Sequence, residues 1–196
     1  MEAWLDFYRA YFPDEEALKC FVGGCEQLES DDHRHRAKVM MHQGQRLLTI
    51  ADAMDSVAPG REPLKLLFLL IASENISKLY ANYDGEGNSK FHVRRFFNDF
   101  CMPEDKSAIC GGIEKIGQKA SLDDLISVLY DVRCDVVHEG TYWGFDFASS
   151  ECPSVLTGRH SDQILRVRMS YQEFRDIVAK GIIVATQLVI EQHTAP

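Results

Sequence analysis

The chain is short of the residues that break or loosen structure, with only 6 Pro and 13 Gly in 196 positions. That scarcity, beside 10% aromatic residues, excludes a collagen-like or disordered polymer. Long apolar runs are missing too. The most apolar stretch, Leu64 to Ile71, contains Lys65 and gives way to Ser73, Glu74 and Asn75. It falls well short of the about 20 residues a helix needs to cross a bilayer, so no membrane partner is expected. The N-terminal stretch MEAWLDFYRAYFPDEE holds acids and a proline where an export leader has a basic start and an apolar core. The expectation is a cytoplasmic protein.

No Cys-x-x-Cys pair occurs. The cysteines at 20, 25, 101, 110, 134 and 152 read as reduced thiols in a chain of this length. A zinc site built on Cys20 and Cys25, or on Cys101 and Cys110, needs further ligands at short spacing, and His33 and His35 are the one compact histidine pair. Neither a metal nor a cofactor is expected.

An excess of positive charge is also absent. Thirty acids against 21 bases give −9, which disfavours a protein that coats nucleic acid through a broad basic surface. The acids are unevenly spread. Residues 1–32 hold nine of them against Arg9 and Lys19, hence −7, and leave −2 for the rest. A local basic cleft in the main body is compatible with that balance, and an acidic, antitoxin-like role for residues 1–32 rests on charge alone.

What is present is helical periodicity. Residues 2–29 suggest one or two helices broken near Pro13, and Ser30, Asp31 and Asp32 offer N-cap chemistry for a long helix to about Val57. Ala58-Pro59-Gly60 breaks the chain. Glu62 and Pro63 open a helix that is apolar nearly all round its first two turns, the mark of a central buried element. A shorter helix from Ser89 stops before Pro103, and another is placed through 105–119. Ser121 with Asp124 caps a helix over 122–138 closed by Gly140. Residues 163–169 alternate as a short strand paired with Ser154 to Thr157, and Ser170 with Glu173 caps a final helix to about Gln192. The fold class is all-α, a helical bundle with a small β-hairpin before the C-terminal helix. Residues 1–58 form an N-terminal helical extension packed on the core, and 61–196 form the main domain.

Chemistry concentrates on the 122–138 helix. At about 100° per residue, Leu122, Leu125, Ile126, Leu129, Val136 and Val137 fall near one direction, with Arg133 in their midst. A guanidinium on a core stripe needs a carboxylate, a phosphate or an opening in the packing. His138 follows near the helix end, where it serves either as a cation favoured by the helix dipole or as a reactive group. Positions five apart point about 140° apart, so the two converge only if the helix frays or a second subunit completes the site. Arg36 and His42 have a similar spacing but lie in or beside the charge run HRHRAK and read as surface residues. His92, His160 and His193 have no evident partners in the sequence.

The stretch VLYDVRCDVVHEGTYW, with Arg133 and His138, resembles the signature of the HEPN superfamily, helical proteins whose Arg-x4–6-His motif forms an RNA-cleaving site at a homodimer interface. LLFLLIASENISKLY, FFNDFCMPEDK and ILRVRMSYQEFRDIVAKGI are similar to the corresponding parts of the Apea-like HEPN group. The resemblance covers roughly residues 61–193. Cys134 stands where many active members have Asn or another polar group. The resemblance implies a HEPN-like bundle, a homodimer, an RNA substrate cut to 2′,3′-cyclic phosphate and 5′-hydroxyl ends, and a defence or toxin–antitoxin setting with an antitoxin or other protein partner.

The residue chemistry is compatible. Metal-independent RNA cleavage needs a group that exchanges protons near neutral pH, the role of His138, and a fixed planar cation for the transition state, the role of Arg133. Glu74 continues the helix face of Leu67 and Ile71 and is placed to orient Arg133, or is an ordinary surface acid. Asn75 and Cys134 are supporting neighbours. Lys90, Arg94 and Arg95, in a run without acids from Gly87 to Phe97, are candidates for an RNA groove, with Tyr142 and Trp143 available to stack on bases. Phe91, Phe96, Phe97 and Phe100 read as core, with Arg94 and Arg95 otherwise the wet face of their helix. The rival expectation is a catalytically silent HEPN module that dimerises and binds a nucleotide or a protein.

Overall fold

Serine capping boxes start two of the helices. In the computed structural model, which describes residues 3–27, 36–149, 154–157 and 164–194, Ser121 Oγ accepts from the Asp124 N–H at 3.2 Å and the Asp124 carboxylate accepts from the Ser121 N–H at 2.9 Å. Ser170 and Glu173 repeat the arrangement at 3.2 and 2.7 Å. Each box satisfies helix-end donors that would otherwise lack partners.

The described elements run α1 (Ala3–Tyr8), a 3-10 turn (Arg9–Tyr11), α2 (Glu15–Gln27), α3 (Arg36–Val57), α4 (Glu62–Tyr80), α5 (Ser89–Asp99) and α6 (Pro103–Gly112). They continue with β1 (Ile113–Lys115), α7 (Leu122–Glu139), β2 (Ser154–Thr157), β3 (Ile164–Val167) and α8 (Tyr171–Thr194). The Ser30–Asp32 cap and His33, His35, Cys152 and His160 lie outside the described residues. No described helix is long and apolar enough to cross a membrane.

Helix α4 is the centre of the bundle. It packs against α3, α5, α7 and α8, with Leu66, Leu69, Leu70, Ala72 and Ile76 wholly buried. Trp4, Tyr8 and Phe21 from the first segments join the same apolar core. Tyr8 fits because residue 44 has no side chain. A Cβ on Gly44 would stand 2.6 Å from the Tyr8 hydroxyl and 2.8 Å from Ile182 Cδ1. The Arg175 guanidinium ties this junction together, reaching both Asp52 oxygens at 2.8 and 2.9 Å and donating to the Tyr11 hydroxyl at 2.6 Å.

The sheet has three strands, in the order β1-β3-β2, all antiparallel. Leu165 and Val167 of β3 point into the core while Arg166 reaches outward to Glu114 at 3.5 Å, the period-two alternation of a half-buried strand. β1 replaces the later part of the helix expected through 105–119. That helix ends at Gly112, whose carbonyl accepts from the N–H groups of Arg168 at 2.7 Å and Met169 at 3.2 Å. Its last acceptor is thus used by the segment at the end of β3, and buried Ile113 pairs with Val167.

Other expectations are corrected by helical phase. Phe91 is 61% exposed while Phe96, Phe97 and Phe100 are buried, because a position five residues before Phe96 faces about 140° away from it. Val137 is 49% exposed because Val136 already takes the inward direction of that turn. Arg36 and His42 are half-buried rather than superficial. Arg36 donates to His193 Nε2 at 3.2 Å, and the other nitrogen of that ring donates to the Val189 carbonyl at 2.8 Å. The His42 ring meets the edge of Trp4 at 5.9 Å between centroids. His92 also has a partner, with its Nδ1 3.3 Å from Ser77 Oγ.

Candidate active site

The candidate residues lie on four segments. α4 carries Glu74, and Lys78 one turn later. α7 carries Tyr130, Arg133, Cys134 and His138. The first turns of α5 present Ser89, Lys90, Phe91, Arg94 and Arg95, and the loop after Gly140 presents Tyr142 and Trp143.

Glu74 is buried and shared between two cations. One carboxylate oxygen takes the Lys78 ammonium at 2.7 Å and the other faces the Arg133 guanidinium at 3.6 Å. Burial pushes the Glu74 carboxyl up, but the bonds from Lys78 and Ser89 and the charges of Lys78 and Arg133 outweigh it and hold the group below the usual carboxylate range. Glu74 is therefore an anion held in place, with Lys78 and Arg133 as its two cationic neighbours.

Arg133 is 17% exposed at its side chain. Its guanidinium carbon lies 5.3 Å from the centre of the Tyr130 ring, a cation–π contact. At 3.6 Å the Glu74 contact is an ion pair beyond hydrogen-bond length. A guanidinium has five N–H donors in a planar fork, so the geometry leaves donors for a second anion.

Helix α7 stays regular through Glu139 and closes at Gly140, whose φ of 65° is the left-handed conformation glycine adopts without strain. His138 is exposed and, among the described residues, makes no hydrogen bond or ion pair. The helix does not fray between positions 133 and 138. Within one chain the two side chains start about 140° apart.

Cys134 and Asn75 are half-buried neighbours of Arg133 and Glu74 in sequence. Tyr142 and Trp143 are exposed, at 40% and 59%. The α5 cations line a surface groove of about 510 Å³ together with Phe91, Asn98, Asp99 and Asp123. An acid meets each of them. Lys90 pairs with Asp131 at 3.0 Å, Arg95 with Asp99 at 3.1 Å, and Arg94 with Asp123. The acid-free run in the sequence is thus neutralised by α7 and by the end of α5 itself, which linear charge patterning does not show.

His92 was missed as a neighbour of this cluster. Its ring is buried beneath Tyr83, 4.8 Å between centroids. Burial first, then the Lys78 and Arg95 charges, hold its pKa below the usual histidine value against the pull of Glu74. The signal available in the sequence was position 92 on the inward face of α5, one residue before buried Val93. Among the described residues no three His, Cys, Asp or Glu side chains are grouped to hold a metal ion. No family model, no curated protein and no solved structure matches the chain.

Proposed function

We propose that the chain is a metal-independent endoribonuclease of HEPN type, acting as a homodimer in a defence or toxin–antitoxin setting. The observation that carries this reading is the state of Arg133. It is a planar cation held by Glu74 and Tyr130, partly open, and with donors to spare. Its position five residues before an exposed, unbonded His138 repeats the residue pair on which the resemblance rests. In this reading the 2′-oxygen of RNA bonds to the adjacent phosphorus as the bond to the 5′-oxygen breaks. A histidine removes the 2′-proton, another protonates the leaving oxygen, and Arg133 neutralises charge on the phosphorane-like transition state. Two copies of His138, one from each protomer, supply both proton transfers. That use of a twofold cleft also answers the divergence of Arg133 and His138 within one helix.

The rival is a catalytically silent module that dimerises and binds a nucleotide or protein. It is favoured by one observation: more than four-fifths of the Arg133 side chain is already covered, beside the Cys134 thiol in place of a polar group. Incubation of a mixed RNA pool with EDTA and either the wild type or His138→Ala decides between them. Cleavage that survives the chelator and vanishes in the variant supports the nuclease. An intact pool after incubation with folded wild-type dimer supports the silent module.

A further inference from the structure

Phe91 is the most exposed of the large hydrophobic aromatics among the described residues, at 61%, and it lines the α5 groove together with Lys90 and Arg94. Val93, Phe96, Phe97 and Phe100 already supply the inward face of that helix, and the Phe91 ring meets that of His92 edge-on at 5.3 Å between centroids. Single-stranded nucleic acid is held by two kinds of group in close alternation, cations for the backbone and aromatic faces for unpaired bases. Here the alternation is local, and it leads toward the candidate site. The Lys90 ammonium lies 5.7 Å from the centre of the Tyr130 ring, and the Arg133 guanidinium lies 5.3 Å from the centre of the same ring. Lys90, which lines the groove with Phe91, therefore shares the Tyr130 ring with Arg133 of the candidate site.

We infer that this groove takes a single-stranded RNA segment with one base stacked on Phe91, a proposal that rests on the ribonuclease reading and names how its substrate is held. Charge alone does not recruit the strand. Lys90, Arg94 and Arg95 are each matched by an acid, and the protein carries −9. These pairs are solvent-exposed, with 26–43% of the cation side chains and 40–55% of the acids accessible, so an incoming phosphate displaces them at little cost. Stacking has to supply the grip that net charge does not. The groove volume, about 510 Å³, lies in the range of sites that hold a group of nucleotide size.

The test is fluorescence anisotropy of the full-length wild-type protein with a labelled single-stranded RNA whose 2′-hydroxyls are methylated, so that binding is read without cleavage. Phe91→Ala is expected to weaken binding by roughly 5- to 100-fold, while Phe91→Trp binds at least as tightly as the wild type. Because Phe91 is exposed, both variants should melt with the wild type, and a melting curve checks this. Binding of the methylated strand that is unchanged in Phe91→Ala overturns the proposal and leaves the nuclease reading standing. A wild type that cleaves ordinary RNA but fails to bind the methylated strand also overturns it. A wild type that neither binds nor cleaves removes both.

Discussion

Glu74 and Arg133 stand 3.6 Å apart across the contact between α4 and α7, with Lys78 bonded to the far oxygen of the same carboxylate at 2.7 Å. The buried anion does two jobs at once. It compensates a guanidinium set into an apolar helix face, and because it is divided between two cations it leaves Arg133 capable of meeting another anion.

Glu74→Gln removes that charge and leaves both cations without their partner. The expected loss of stability is about 1–3 kcal/mol, read by chemical denaturation. RNA cleavage should fall more than stability does, with Glu74→Asp intermediate. A variant that is destabilised yet cleaves at the wild-type rate would show that Glu74 supports the fold only.

Acid should weaken the fold through His92 before it reaches the carboxylates. The folded ring is held below its usual value of 6.5, so below that pH the unfolded chain binds a proton that the folded chain refuses. Stability is then fully present above about pH 6.5 and declines as the pH falls through the window beneath it. Melting temperature measured from about pH 7.5 to about pH 5 should slope downward for the wild type. The slope should be shallower in His92→Leu.

The core gives an independent check. A Cβ at Gly181 would stand 2.6 Å from Cζ of buried Phe96, closer than van der Waals contact allows. Gly181→Ala gains helix propensity of about 1 kcal/mol but forces the ring to move, and a net loss of about 1–2 kcal/mol is expected. Restored stability in the double variant Gly181→Ala, Phe96→Leu would confirm the contact as the cause.

The junction with the first segments depends on Asp52, which accepts from Arg175 twice and from the Tyr171 hydroxyl at 2.6 Å. Asp52→Ala leaves the mostly covered Arg175 without its main counter-charge. Amide hydrogen exchange in Ala3–Tyr11 should accelerate more than in α4, since Tyr11 is bonded to that arginine.

Local chemistry was legible in the sequence because it acts over a few residues. The Ser121–Asp124 and Ser170–Glu173 boxes, the Gly140 stop and the burial of α4 all follow from short-range patterns. What depended on distant partners was not. β1 is a strand because β3, some fifty residues away, pairs with it. Lys90 and Arg94 of α5 are neutralised because Asp131 and Asp123 approach from α7. Arg36 finds His193 at the other end of the described chain. In the candidate site, the Glu74–Arg133 pairing could be expected from helical phase, whereas the exposure of Phe91 was misjudged by grouping it with three phenylalanines on the opposite side of its helix.

The most direct test of the central claim is the chemistry of the cut ends, determined on RNA treated with the wild type in EDTA alongside the same sequence with a single 2′-deoxy substitution at the mapped site. The account predicts 2′,3′-cyclic phosphate and 5′-hydroxyl ends, with cleavage at that site abolished by the missing 2′-oxygen. Ends bearing a 3′-hydroxyl and 5′-phosphate, or unchanged cleavage of the deoxy-substituted strand, would contradict it.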